Sequence, residues 1–259
     1  MRIRLASVLL AVLSVGGSLA AAESPFAGTW KFNPAKSKLT GDTMTFEKTP
    51  SGEIRWSGSG LSYTFKVDGK EHKGPFDEMV VWKQINGSTW ESTNKEKGVL
   101  LSINTMKLSP DGATLTVVSK GTKPSGEAFE DTTVYQRIAG DKGLMGGWRD
   151  KQAKVSSPET IVLAPSGKDG LLLKDTGYQQ TCDAQFDGKD YAVTGPTIPD
   201  GLTMALTHAG PRSFKLVFKK DRKPLFRETY TVSQDGHTLT VVGSAVAVNE
   251  PYTEVFDRQ

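Results

Sequence analysis

Few side chains in this sequence are spaced for metal or covalent chemistry. The three histidines, His72, His208 and His237, lie far apart and lack the short spacing that brings ligands together on one metal ion. Cys182 is the single cysteine, so the chain cannot form an internal disulfide, and no adjacent base identifies its thiol as a nucleophile. We therefore expect neither a metal nor a cofactor, and we interpret Cys182 as a small buried residue.

Catalytic motifs are equally weak. Ser92–Lys95 matches Ser-x-x-Lys, but that motif needs a helix start and partner motifs that this sequence lacks. Asp77 and Glu78 are adjacent, so on a strand their carboxylates would face opposite sides and could not form an acid–base pair. The prediction is that the protein is not an enzyme, and an enzyme that uses a barrel cavity is the least favoured alternative.

Aromatic residues of the N-terminal half are the remaining candidates for a binding site. They lie on predicted strands, and Tyr63 and Phe65 share one face because they are two residues apart. Inward-facing rings with hydroxyl or indole groups could line an apolar pocket. The alternative is that the same rings simply fill the interior. The proposed ligand-binding residues are Trp56, Tyr63, Phe65, Trp82 and Trp90.

The elements that carry these residues occur twice. The segment SPDGATLTVVSKGT at 109–122 matches SQDGHTLTVVGSAV at 233–246, and VYQR at 134–137 matches VFDR at 255–258. A third pair, around Asp-Gly-Lys, joins 63–76 to 182–197. The predicted organisation is therefore a barrel at 23–138, a linker at 139–145 and a second barrel at 146–259.

Each repeat is predicted to be all-β. Apolar and polar residues alternate in several runs rich in Thr, Val and aromatic residues, and Gly-containing turn sequences separate them. The clearest predicted strands are Thr43–Lys48, Ser62–Val67, Met79–Gln84, Thr114–Lys120 and Thr132–Arg137. The fold class expected is two tandem antiparallel up-and-down β-barrels of about eight strands each, with a sandwich as the alternative.

The first 22 residues have the pattern of a secretory signal peptide. Arg2 and Arg4 precede the apolar run LASVLLAVLSV, and small residues lead to a cleavage site after Ala22. We expect a secreted or periplasmic protein with no stable membrane span after cleavage; an uncleaved anchor is the alternative.

Charge argues against a nucleic-acid partner. The chain has 32 Lys and Arg against 29 Asp and Glu, and cleavage of the leader would remove two arginines. Nucleic-acid binding needs clustered basic residues. The single basic run, at 218–227, surrounds a turn and is interpreted as a solvated hairpin tip.

The repeats resemble the lipocalin-like small β-barrel domains of exported bacterial proteins. The resemblance rests on GTWKFNPAKSKL at 28–39, GGWR at 146–149, FDGKDYAVTG at 186–195 and the terminal VYQR and VFDR segments. The second copy lacks the AKSK continuation. In that superfamily a tryptophan closes one end of the barrel and an arginine of the last strand packs across its indole. The resemblance thus implies two structural plugs, Trp30 with Arg137 and Trp148 with Arg258.

Together these features predict an exported, non-enzymatic, monomeric protein that binds a small hydrophobic ligand. The alternative is a structural or interaction protein of the cell envelope whose barrels are filled by side chains. The two differ in whether the structure contains an apolar cavity of several hundred Å³, the usual size of a ligand site.

Overall fold

The computed structural model describes residues 24–248 and 251–259, so the predicted signal peptide lies outside the described residues. The protein is all-β, as predicted. Its strands form two antiparallel sheets of ten strands, each curled into a nearly closed barrel. Within the described ranges, no helix has the length and hydropathy needed to cross a membrane.

The strands are numbered in chain order. The N-terminal half contributes β1 (Gly28–Phe32), β2 (Thr43–Lys48), β3 (Ile54–Gly58), β4 (Leu61–Phe65), β5 (Glu71–Lys73), β6 (Met79–Asn86), β7 (Thr89–Glu96), β8 (Val99–Leu108), β9 (Thr114–Thr122) and β10 (Ala128–Ala139). The C-terminal half contributes β11 (Gly146–Lys154), β12 (Thr160–Ser166), β13 (Gly170–Asp175), β14 (Gln180–Gln185), β15 (Tyr191–Ala192), β16 (Leu202–Gly210), β17 (Ser213–Lys220), β18 (Lys223–Val232), β19 (Thr238–Ala245) and β20 (Pro251–Arg258). A short 3₁₀ turn, Pro75–Asp77, precedes β6.

The local predictions agree well with these bounds. β2 has the predicted limits, while β6, β9 and β10 begin at or before the predicted residue and extend beyond the predicted end. The predicted count of about eight strands is too low, partly because β5 and β15 are only three and two residues long. Such short strands carry too few alternating residues to be recognised as a period-2 pattern.

Each barrel takes one strand from the other half of the chain. Barrel I has the order β4-β3-β2-β11-β10-β9-β8-β7-β6-β5, and barrel II has the order β14-β13-β12-β1-β20-β19-β18-β17-β16-β15. Thus β1 lies between β12 and β20, and β11 lies between β2 and β10. The first strands of the two repeats are exchanged.

The exchange corrects the predicted domain boundaries. The ranges 23–138 and 146–259 do not coincide with the barrels, because β1 and β11 each belong to the barrel of the other half. Residues 139–145 are not a linker either, since β10 and β11 pair along their length and this segment forms their hairpin turn. The chain instead crosses between barrels at 33–42 and again at 155–159.

Each barrel encloses its own apolar core. Phe46, Phe65, Trp82 and Trp148 are among the most buried residues of barrel I, while barrel II is built around Trp30 and a larger set of Phe, Leu and Val residues. Barrel II is closed by two backbone hydrogen bonds of 2.8 Å between Thr181 of β14 and Thr194, just after β15.

Candidate functional site

One end of each barrel is closed by a tryptophan and an arginine. The guanidinium carbon of Arg258 lies 4.1 Å from the ring centroid of Trp30, and that of Arg137 lies 4.1 Å from the ring of Trp148. Both indoles are fully buried. A guanidinium over an indole face gains cation–π and stacking energy, so each pair is a stabilising plug.

The hydrogen bonds around the two plugs correspond closely. The indole Nε1 of Trp30 donates to the Phe26 carbonyl at 2.9 Å, and that of Trp148 donates to the Leu144 carbonyl at 3.0 Å. Each arginine donates three hydrogen bonds to backbone carbonyls. The acceptors are the carbonyls of Gly112, Gly143 and Met145 for Arg137, and of Gly236, Ala27 and Pro25 for Arg258.

A glycine two residues before each tryptophan makes the close approach possible. Gly28 has φ +147° and Gly146 has φ +123°, conformations that residues with a Cβ rarely adopt. A Cβ on Gly146 would also lie 2.1 Å from the Ala139 carbonyl oxygen. This geometry lets the chain turn tightly into β1 and into β11.

The partners within the plugs are not those that the resemblance implied. The predicted pairs were Trp30 with Arg137 and Trp148 with Arg258, whereas Trp30 contacts Arg258 and Trp148 contacts Arg137. The reason is the exchange of β1 and β11, which carries each tryptophan into the other barrel. The same four residues form two Trp–Arg pairs, but the implied partners are wrong.

The five aromatic residues proposed as a ligand site come together in barrel I. Trp82 stacks on Phe65 with centroids 4.3 Å apart, and its indole donates to the Tyr63 hydroxyl at 3.2 Å. The ring centroids of Trp56 and Tyr63 lie 5.4 Å apart, and Trp90 is buried in the same core. Burial raises the pKa of Tyr63 to about 12. These rings fill space against one another, and none of them lines either cavity described below.

Two of the three histidines lie beside a carboxylate. His72 lies 2.9 Å from an Asp68 oxygen, and His208 lies 2.9 Å from an Asp169 oxygen. Cys182 is buried, as predicted, and burial raises the pKa of its thiol to about 11, which disfavours the thiolate needed for nucleophilic attack.

The main cavity lies where the two barrels meet. An outer chamber of about 790 Å³ is lined by residues of both barrels and by the crossing segment 38–42. An inner chamber of about 270 Å³ extends into barrel II. The two chambers share four lining residues: Gln180, Phe218, Glu228 and Glu254. We call the two chambers together the interbarrel cavity.

Strands β18 and β20 place carboxylates on the cavity wall. Alternate residues of a strand face the same side, so Phe226, Glu228 and Tyr230 of β18 face the interior together. Glu254 of β20 faces the interior by the same alternation, between Tyr252 and the buried Phe256. The result is a wall on which aromatic rings alternate with carboxylates.

Glu228 is held by two tyrosines. Tyr230 donates its hydroxyl to Glu228 at 2.8 Å, and Tyr252 donates to the other carboxylate oxygen. Burial raises the pKa of Glu228, and the two tyrosine hydrogen bonds partly oppose that increase. Burial also raises the pKa of both tyrosine hydroxyls, with the Glu228 charge adding to it, so they stay protonated as donors.

A glycine in the middle of β19 makes room for this arrangement. Gly243 is the cross-strand neighbour of Glu228 on one side and of Tyr252 on the other. A Cβ at Gly243 would lie 2.5 Å from both the Cζ and the hydroxyl oxygen of Tyr252. The missing side chain therefore lets Tyr252 reach across β19 to Glu228.

Other acids around the cavity also have raised pKa values. Burial, with the nearby Glu228 charge, raises the pKa of Glu254 to about 7, and burial with the Glu96 charge does the same for Glu78. Burial and the neighbouring Asp175 raise the pKa of Glu159 well above its ordinary range.

The lining is strongly acidic although the whole chain is nearly balanced in charge. Among the described residues that line the cavity, the basic ones are Lys38 and Lys174, and both are exposed. Its acidic residues are Asp42, Glu78, Glu96, Glu159, Asp175, Glu228 and Glu254. Among residues 24–248 and 251–259, no group of three or more His, Cys, Asp or Glu side chains is placed to hold a metal ion.

The carboxylate site is absent from the matching positions of barrel I. There the cross-strand neighbours corresponding to Glu228, Gly243 and Tyr252 are Asn104, Ser119 and Asp131. Glu254 corresponds to Thr133. Sequence reasoning missed these acids, and the signal that could have found them is this difference between two otherwise similar repeats.

Comparison with known proteins returned no relationship: no family model, no curated protein and no solved structure matches this chain.

Proposed function

We propose that this protein is an exported, monomeric, non-enzymatic binding protein that holds a small, largely apolar molecule in the interbarrel cavity. The observation that carries the proposal is the size of the outer chamber, about 790 Å³, which falls within the usual range for small-molecule sites. Phe218, Phe226, Ile198 and Leu225 supply apolar surface, and the acids of the wall supply a few polar contacts.

A lipocalin-like assignment forms part of the proposal. It is supported by the sequential antiparallel strand order and by a Trp–Arg plug in each barrel. In barrel II the plug forms at the end of β20 that carries Arg258, while the cavity lies at the start of the same strand, near Tyr252. One closed end and one open end suit a barrel that receives a ligand.

Barrel I has a structural role in this proposal. Its aromatic rings stack on one another rather than around the cavity, which favours the filled-barrel alternative for that half. Barrel I still contributes part of the outer chamber through Ser59, Phe76, Glu78 and Glu96.

Titration with the uncharged fluorescent probe N-phenyl-1-naphthylamine tests the proposal. We expect binding with a blue-shifted emission, and we expect Thr40→Trp and Leu225→Trp, which fill the outer chamber, to weaken it at least tenfold. Val242→Trp is the matched control, because Val242 is exposed and lies outside the cavity. Native mass spectrometry of protein purified from its own source would show any retained ligand as an increase over the mass of the protein alone.

Two results would contradict the proposal. One is probe binding that the two blocking variants leave unchanged. The other is the absence of binding in a protein whose thermal unfolding shows it to be folded.

A further inference from the structure

We infer that the interbarrel cavity selects ligands that carry an organic cation, an amine or a guanidinium group, attached to an apolar body. This inference rests on the proposed function and adds the chemical class of the ligand. Its basis is the position of Glu228 and Glu254, which line both chambers and so stand at the junction between them.

The first step concerns charge. A buried carboxylate is costly unless it is paired with a cation or fully hydrogen-bonded. Glu228 accepts hydrogen bonds from two tyrosines, which are neutral donors, and burial raises its pKa. Its ionised form therefore has no cationic hydrogen-bond partner among the described residues. The two lysines of the lining are exposed, so a cationic ligand group would supply the missing positive charge inside the cavity.

The second step concerns shape. The outer chamber adjoins the junction and carries most of the apolar lining, including Phe218, Phe226 and Leu225. A cation at the junction would thus leave the rest of the ligand among apolar and aromatic side chains. Aromatic faces also attract cations, so the Tyr230 and Tyr252 rings beside Glu228 suit this position.

The third step separates an organic cation from a metal ion. Calcium and magnesium require several oxygen ligands converging on one point. In the part of the chain that the structure describes, the acids are spread along the cavity wall, and no three are placed to hold a metal. Glu228 and Glu254, which both stand at the junction of the chambers, instead suit a single organic cation whose apolar body extends into the outer chamber.

The fourth step couples binding to pH. The pKa of Glu254 is raised to about 7 by burial and by Glu228, so near neutral pH this group is partly protonated. A bound cation favours the ionised form and expels the proton, so affinity rises with pH between about 6 and 8. Of the charges nearby, Glu228 adds to the raised pKa of Glu254. The charged and titratable groups that line the two chambers with Glu254 are Lys38, Asp42, Glu78, Glu96, Glu159, Lys174, Asp175, Cys182, Glu228, Tyr230 and Tyr252.

Calorimetric titration with three probes of equal chain length tests the inference. Octyltrimethylammonium carries a permanent positive charge, 1-octanol is neutral and octanoate is negative. At pH 8 we expect the ammonium probe to bind at least tenfold more tightly than 1-octanol, and octanoate to bind most weakly. At pH 6 we expect the preference for the ammonium probe to shrink severalfold.

Substitution of the acids assigns the effect to the cavity. We expect Glu228→Gln and Glu254→Gln each to reduce the preference for the ammonium probe, and the double variant to abolish it while 1-octanol still binds. Glu47→Gln on β2 is the matched control, because Glu47 is exposed and outside the cavity. Retained 1-octanol binding shows that each variant is folded.

The outcomes are distinguishable. Equal binding of 1-octanol and the ammonium probe, or a preference that survives in the double variant, would overturn the inference and leave the proposed function standing. If N-phenyl-1-naphthylamine and all three octyl probes failed to bind folded protein, both the inference and the proposed function would be wrong.

Discussion

At the scale of single residues, each Trp–Arg plug combines three stabilising features. The indole is fully buried, its Nε1 has a backbone acceptor, and the guanidinium both covers the ring and satisfies three carbonyls. Buried carbonyls without donors are costly, so the arginine stabilises a turn and the strand end as well as the indole. This explains why Gly-x-Trp and a terminal arginine occur together in both repeats.

A double-mutant cycle tests which residues form a plug. We expect Trp30→Leu and Arg258→Ala to be coupled by about 1 kcal/mol in urea unfolding, because each removes the partner of the other. We expect Trp30→Leu and Arg137→Ala to be additive within about 0.5 kcal/mol, since they lie in different barrels. The reverse pattern would show that β1 pairs with the last strand of its own repeat.

Residue types at the plugs could be predicted from the sequence, whereas the carboxylate site could not. Repetition located the matching segments, and the resemblance to lipocalin-like barrels implied that their tryptophans and arginines form plugs. Glu228 and Glu254 stand on alternating strands, where a charged residue is normally read as solvent-facing. Their inward orientation depends on Gly243, which makes room for Tyr252, and on a cavity formed by a second barrel. Neither condition is visible in a local sequence pattern.

At the scale of elements, the main finding is the exchange of β1 and β11. Both strands begin with a glycine at positive φ, carry a buried tryptophan two residues later, and pair with a last strand that has an arginine at or near its end. The position between the neighbouring strands requires nearly the same residues in both barrels. Either strand could therefore complete either barrel. The repeated sequence predicts that a Gly-x-Trp strand pairs with a strand that carries the terminal arginine, but it does not predict which of the two copies is the partner. Segments 33–42 and 155–159 are long enough for the chain to cross between the barrels.

Cleavage of the β10–β11 turn tests the exchange. A protease site inserted between Asp141 and Lys142, both exposed, should cut the chain into two fragments that co-elute in size-exclusion chromatography. They should remain together because each fragment supplies a central strand to the barrel of the other. Adding Trp30→Leu and Trp148→Leu should lower the denaturant concentration needed to separate them. Fragments that separate spontaneously in native buffer would contradict the exchange.

At the scale of the whole molecule, the two barrels are connected in several ways. Besides the exchanged strands, Ser125 of the β9–β10 loop donates its backbone N–H to the Gly177 carbonyl at 3.0 Å, and the buried Lys123 donates to the Ser157 carbonyl at 2.9 Å. The outer chamber lies across the same junction. The exposed ion pair of Lys97 with Asp200, at 2.7 Å, adds little, because exposed pairs contribute only about 0–1 kcal/mol.

These connections predict that the molecule unfolds as one cooperative unit although it contains two barrels. Loss of either barrel removes a central strand from the other, so neither should persist alone. Scanning calorimetry should therefore give a single transition whose calorimetric and van't Hoff enthalpies agree. Phe65→Leu in barrel I and Phe214→Leu in barrel II, both at fully buried positions, should each cost about 1–2 kcal/mol and lower the same transition by about 2–6 °C. Independent tandem domains would instead give two transitions, each shifted by only one of the substitutions, because a domain with all its own strands does not depend on its neighbour.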